Sequence, residues 1–371
     1  MRPPVLGMLG LLVLIPGWLG LTQAEVVTPQ AVDSAYEWDL PAGFPLPYVP
    51  PDNPMSSSKV ELGRHLFYDT RLSANNTQSC ASCHQPALAF TDGRAQAVGS
   101  SGEVLPRSAL SLTNAAYNLT YNWANPTLTR IEEQLVLPLF SEHPVEMGVS
   151  GHEAAILQRL AEDARYRTLF AQAFPEADEV FTFEHIIAAL ASFTRTLISG
   201  DSPYDAFLRG DRTAISEAAQ RGLKLFFSET LKCHHCHGGF NLSLASRTAY
   251  WTIQQDIFFN TGLYNLPPDG RYPEANTGLY AFTGQEEDMG RFRPPTLRNI
   301  ALTAPYMHDG SIATLEGVIR FYSEGGRDNP QQSDLISGFG LSAQDMSDLI
   351  AFLESLTDSA FIHDPRFGNP W

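Results

Sequence analysis

A chain of 371 residues, 43% of them hydrophobic, is long enough for two domains with separate cores. Its 24 Lys and Arg against 41 Asp and Glu leave a formal net charge of −17, which excludes ordinary nucleic-acid binding. The same acidity keeps the chain soluble and directs any protein partner to a basic or apolar patch.

Residues 1–24 read as a secretory signal. Arg2 precedes an apolar run from Val5 to Leu21, and Thr22-Gln-Ala24 supplies small residues for cleavage near Ala24. The run is short for a spanning helix and holds Pro16 and Gly17, so stable membrane insertion is not expected. Removing the segment takes away Arg2 alone and moves the net charge from −17 to −18. The expected location is the periplasm. Residues 25–58 are rich in proline and read as an extended surface arm.

Ser58-Lys-Val-Glu61 has the form of a capping box opening a short helix through Gly63, Leu66 and Phe67. Regular structure is then expected to be scarce from Thr70 to about Asn125. Helical periodicity predicts helices over about 152–173 and 183–199, the second with Ile186, Ile187, Leu190, Phe193 and Leu197 on one face. Gly200-Asp-Ser-Pro203 ends that pattern. A further helix is expected at about 214–227, then Gly/Pro-rich loop from 238 to 312. The last helices fall at about 313–323 and, behind Ser342-Ala-Gln-Asp345, at 343–356. No strand alternation appears, so the predicted fold is mostly α with long irregular loops.

Two copies of one pattern organise these elements: Cys80-Ala-Ser-Cys83-His84 and Cys233-His-His-Cys236-His237. They use all four cysteines, leaving none for a disulfide framework. C-x-x-C-H is the attachment pattern of c-type haem, in which two thiols join the porphyrin and the adjacent imidazole takes an axial position on iron. A split zinc site usually brings its cysteine pairs closer together and needs no His after each pair. Two covalent haems are therefore expected, with His84 and His237 as iron ligands. Gly63-Arg-His-Leu-Phe-Tyr68 before the first motif is echoed by Gly222-Leu-Lys-Leu-Phe-Phe227 before the second. The echo predicts a duplicated, cytochrome c-like haem domain, at 59–210 and at 211–371 with the C-terminal tail.

With Leu297-Arg-Asn-Ile-Ala-Leu-Thr-Ala-Pro-Tyr-Met-His308-Asp-Gly and Pro144-Val-Glu-Met147, these motifs resemble the bacterial di-haem cytochrome c peroxidase superfamily. The likeness runs from about Lys59 to the C-terminus. Trp123-Ala-Asn-Pro and the ending Asp364-Pro-Arg-Phe-Gly-Asn-Pro-Trp371 are similar to its MauG branch, and most to the MbnH-type enzymes of methanobactin operons.

The resemblance implies roles residue by residue. The N-terminal haem reacts with H2O2; no His or Met lies between His84 and Glu142 to close its far side at rest. Glu146 is implied as the acid–base group and Gln134 as the residue that positions peroxide, with His143 as a rival acid–base. Tyr322, in Thr314-Leu-Glu-Gly-Val-Ile-Arg-Phe-Tyr322, occupies the slot of the second haem's distal ligand. Its rivals are Met307, Met289 and Met346. Trp123 takes the place of the aromatic between the haems, and Arg293 and His308 match polar residues around the second haem and the inter-haem region. Thr303 and Pro305 match carbonyls that hold Ca2+ between the haems. Ser108 aligns with the third calcium ligand, and Asn114 is an alternative oxygen. The implied activity is H2O2-dependent oxidation of a side chain, Trp to kynurenine, on an exported, copper-binding partner protein. A cytochrome c peroxidase fed by a small cytochrome and a di-haem electron carrier are the alternatives.

Overall fold

The computed structural model describes residues 36–251 and 257–371. The secretory signal and the start of the arm lie outside the described residues. Among the described residues, twelve α-helices joined by long loops carry the fold, and the strands are one antiparallel pair, Phe259–Asn260 with Arg291–Phe292.

One helix crossing is built twice. In the first half, the Ser57–Tyr68 helix packs on the Phe183–Arg195 helix. Leu62, Leu66 and Phe67 from one, and Ile186, Leu190 and Phe193 from the other, are buried in the first core. Burial of each such side chain contributes roughly 1.5–3 kcal/mol. In the second half, the Glu217–Phe226 helix packs on Ala343–Glu354, burying Phe226, Leu349, Phe352 and Leu353. Glycine sets both distances of approach. A Cβ on Gly63 would lie 2.0 Å from the Ala189 carbonyl oxygen, and one on Gly222 would lie 1.9 Å from that of Asp348. The echoed glycines are thus the points of closest contact in two equivalent crossings.

The local chemistry moves several helix ends. Ser56, not Ser58, is the N-cap of the first helix; it is extended and its Oγ accepts from Lys59 N at 3.2 Å. The expected 152–173 helix divides into Glu153–Ala161 and Ala164–Ala173, because Asp163 turns out of the helix and its Oδ1 caps Arg165 N at 2.8 Å. A helix at Ile131–Phe140, with Pro138 inside it, was not foreseen.

The ends of the chain tie the halves together. The C-terminal tail, expected to belong with the second unit, packs on the first: Phe361 and Phe367 enter its core, and Arg64 Nε donates to Gly368 O at 2.9 Å. Trp371 sits between the Arg71 and Arg165 guanidinium groups, 5.3 and 4.8 Å from its ring centroid. From the N-terminal arm, Phe44 meets the Phe240 ring edge-on at 5.3 Å. At the junction, Asn114 Nδ2 donates to Ser199 O and Asn241 Oδ1, both at 3.0 Å, and Asn114 Oδ1 accepts from Ser199 N at 2.8 Å.

Candidate active site

Each C-x-x-C-H motif opens onto its own cavity. In the first half, Cys80–Cys83 form one helical turn and His84 caps it. The His84 Nδ1–H donates to Phe90 O at 2.8 Å, which fixes the tautomer and makes Nε2 the nitrogen available for an iron. In the second half, Cys233–His235 form a 3₁₀ turn, and His237 Nδ1–H donates to Pro295 O at 3.1 Å. Burial lowers the pKa of both imidazoles, that of His237 to about 4, so both are neutral and competent to bind a metal. Burial also pushes the Cys80 and Cys236 thiols up to about 12, and those of Cys83 and Cys233 up to about 11.

The first cavity, about 340 Å³, is lined by Cys80, Cys83, His84, Gln134 and Glu146. The unforeseen Ile131–Phe140 helix presents Gln134, whose Oε1 is buried without a hydrogen-bond partner. Glu146 follows in the loop after that helix. Among the described residues no cation sits beside its carboxylate, and burial raises its pKa from 4.5 to about 7. That is the range in which one carboxyl can both take and return a proton. His143, the rival acid–base, is exposed and outside the cavity lining. His84 is the only imidazole of this lining; its one thioether, Met147, is packed into the first hydrophobic core.

The second cavity, about 230 Å³, is lined by Cys233, Cys236, His237 and Tyr322 from the Leu315–Ser323 helix. Among the described residues the Tyr322 hydroxyl has no hydrogen-bond partner, and burial, followed by the nearby Cys236 and Cys233, raises its pKa. Of the rival thioethers, Met307 lines the same cavity. Met289 is 2% exposed within a core cluster, and Met346 packs in the second core; neither reaches the lining.

Trp123 and Arg293 line both cavities. The Trp123 Nε1–H donates to Ser108 O at 3.0 Å, and the ring lies 6.4 Å from that of His308. His308 stacks on Phe292 at 3.7 Å, and its buried Nε2 has no partner. Arg293 is 3% exposed with neutral oxygens as its contacts: Asn122 O and Asn118 Oδ1, both at 3.3 Å. Burial lowers its pKa to about 10. Arg107, not anticipated from the sequence, lines the first cavity and likewise bonds only to amide oxygens, Asn276 Oδ1 and Asn122 Oδ1. A buried guanidinium such as that of Arg293, with no carboxylate beside it among the described residues, calls for an anionic ligand.

The profile of di-haem cytochrome c peroxidases matches residues 57–213. The cytochrome-c peroxidase IdrP1 of Denitromonas iodatirespirans is 33% identical over 93% of this chain and 94% of its own. The methylamine utilization protein MauG of Methylorubrum extorquens is 35% identical over 83% of this chain and 80% of its own. The chain belongs to the di-haem cytochrome c peroxidase and MauG family. It is a di-haem peroxidase-type oxidoreductase, and two haems are the cofactors its family implies. The cavities suit them: each has an imidazole fixed through Nδ1 and a half-buried pair of thiols, and both are bordered by Arg293, which has no carboxylate partner among the described residues. A crystal structure of a MauG-like protein associated with microbial copper homeostasis is 49% identical, covers 91% of this chain and 100% of its own, and superposes with a TM-score of 0.89. The diheme peroxidase BthA of Burkholderia thailandensis, 23% identical with a TM-score of 0.65, shares the fold.

The expected calcium ligands do not all come together. The Asn114 side chain is committed to the Ser199 and Asn241 junction and is fully buried, which removes it from a calcium set. Ser108 Oγ donates to Met307 O at 3.3 Å, and Ser108 N to His308 O at 3.0 Å. The carbonyl oxygens of Thr303 and Pro305 accept no hydrogen bond among the described residues.

Proposed function

We propose that this protein is an exported, periplasmic H2O2-dependent oxidase that oxidises a side chain of a copper-binding partner protein, converting Trp to kynurenine. The observation that carries the reading is the pairing of unlike cavities: a peroxide-ready one with Glu146 and Gln134, and one faced by the phenol of Tyr322. The likeness to the copper-homeostasis protein supports the choice of partner.

When bound through Cys80, Cys83, Cys233 and Cys236, the haems supply two-electron chemistry with H2O2 at iron held by His84 and His237. Gln134 orients the peroxide in the first cavity. Glu146 takes the proton from one peroxide oxygen and delivers it to the departing one, a transfer for which a pKa of about 7 is suited. Tyr322 would hold the second iron as a phenolate, ionised by coordination, and would then favour the ferric over the ferrous state, so that this site would not serve as an electron reservoir. A large partner cannot enter either cavity, so oxidation proceeds by electron transfer through aromatic side chains, with Trp123 bridging the two. Thr303 O and Pro305 O are the calcium ligands of this reading, their free carbonyls being the support for it.

The test is incubation with H2O2 and the product of a neighbouring exported gene. Peptide mass spectrometry then shows one Trp of that product gaining an oxygen and losing a carbon, and Trp123→Phe slows the change without loss of haem. Rapid turnover with reduced cytochrome c and an unmarked partner would instead establish a cytochrome c peroxidase.

A further inference from the structure

The attachment pattern prescribes Cys, Cys and His and leaves its two middle residues free. In the first motif these are small, Ala81 and Ser82; in the second both are imidazoles, His234 and His235. A carboxylate reaches back to them. Glu229 Oε1 lies 3.4 Å from His234 Nε2, and Glu229 Oε2 lies 3.0 Å from His235 Nε2. All three residues offer ligand atoms within 4.8 Å of one another.

We propose that Glu229, His234 and His235 form an exchangeable divalent transition-metal site on the outer side of the second haem motif, with Cu2+ the preferred ion. Metal bonds of about 2.0–2.1 Å set neighbouring ligand atoms about 2.8–3.4 Å apart for angles between square and tetrahedral, the range that holds both carboxylate–imidazole distances here. Two imidazoles and one carboxylate select Cu2+, Ni2+ or Zn2+ over Ca2+ or Mg2+, and Cu2+ stands highest in the affinity order. Three protein ligands leave a position open, so the ion exchanges.

The local fold holds the ligands before any ion arrives. Ser228 O accepts from Lys232 N at 2.9 Å, closing the turn that carries Glu229, and Lys232 O accepts from His235 N at 3.0 Å. The His234 ring stacks on Phe227 at 5.7 Å and against His235 at 4.5 Å, so both imidazoles are oriented. His234 is 23% exposed in its side chain, His235 37% and Glu229 77%, so an ion reaches them from solvent.

The experiment uses the two-haem protein after dialysis against a chelator. It is titrated with Cu2+ as a weak amino-acid complex, with bound copper measured by equilibrium dialysis and elemental analysis. Copper K-edge X-ray absorption, which is blind to the irons, reads the ligands. The expected result is one Cu2+ per chain with two imidazoles and an oxygen. The variant His234→Ala with His235→Ser gives the second motif the spacer of the first, and Glu229→Gln lies outside the motif. Each should weaken that binding by more than about 100-fold, beyond the effect of losing a supporting contact alone. Unchanged copper affinity in Glu229→Gln at full haem content would overturn the site, as would an absorption spectrum without imidazole scattering. Glu229→Gln decides the matter even if the double variant fails to load haem.

Discussion

Replacing Glu146 by Gln separates what this residue does for the reaction from what it costs the fold. Burial raises its pKa from 4.5 to about 7, which corresponds to a preference of about 3 kcal/mol for the neutral acid. The folded-state pKa lies above the unfolded one. The stability contribution of this group is therefore fully present below pH 4.5 and is lost as the pH rises through about 7. Above pH 7 the fold then carries a desolvated carboxylate that Gln does not impose, so Glu146→Gln should be more stable there, by at most about 3 kcal/mol, and not at pH 4. Catalysis runs the other way. Removal of a positioned acid–base group costs roughly 10²–10⁴-fold, and the wild-type rate of reaction with H2O2 should rise with pH through a midpoint near 7 as the carboxylate forms. Calorimetry at pH 4 and 8, and stopped-flow absorbance from pH 5 to 9, read the two effects. A variant that reacts within about 3-fold of wild type, or a wild-type profile flat between pH 6 and 8, would refute the assignment.

Tyr322→Phe should open the second haem to a high-spin state, and Tyr322→Met should raise its midpoint and favour the ferrous form, both read by paramagnetic resonance and redox titration. An unchanged low-spin haem in both variants would make Met307, on the same cavity wall, the ligand. Gly63→Ala and Gly222→Ala each drive a Cβ to about 2 Å from a backbone oxygen that cannot rotate away, at a cost of about 1–3 kcal/mol or more. Each should lower the melting temperature and the haem content of its own half, measured by calorimetry and haem absorbance per chain.

The two haem motifs and the helices around them were legible because both rest on local pattern. The Gly63 and Gly222 echo carried more than spacing: each glycine marks where one helix backbone touches another. Tyr322 was singled out by resemblance, through its slot in the helix that begins Thr314-Leu-Glu, and it lies on the wall of the second cavity. The Ile131–Phe140 helix was missed because Pro138 and a short apolar run argue against a helix, although Glu133 Oε2 accepts from both Thr129 N and Arg130 N at its start. Non-local facts were out of reach. Nothing in the sequence of Asp364–Trp371 says that it returns to the first core, and Arg107 becomes a candidate only once its lack of a carboxylate is visible. Asn114 looked like a spare oxygen ligand; its partners lie 85 and 127 residues away.

The account stands on the fully oxidised protein meeting peroxide with the first cavity open, lined by Glu146 and Gln134 and by no imidazole other than His84. Stopped-flow absorbance of the diferric protein mixed with H2O2, beside a sample first reduced by one electron, measures this directly. The account predicts that the diferric form reacts at once and without any reductant. A strict need for prior reduction would contradict it and return the protein to the electron-fed peroxidases.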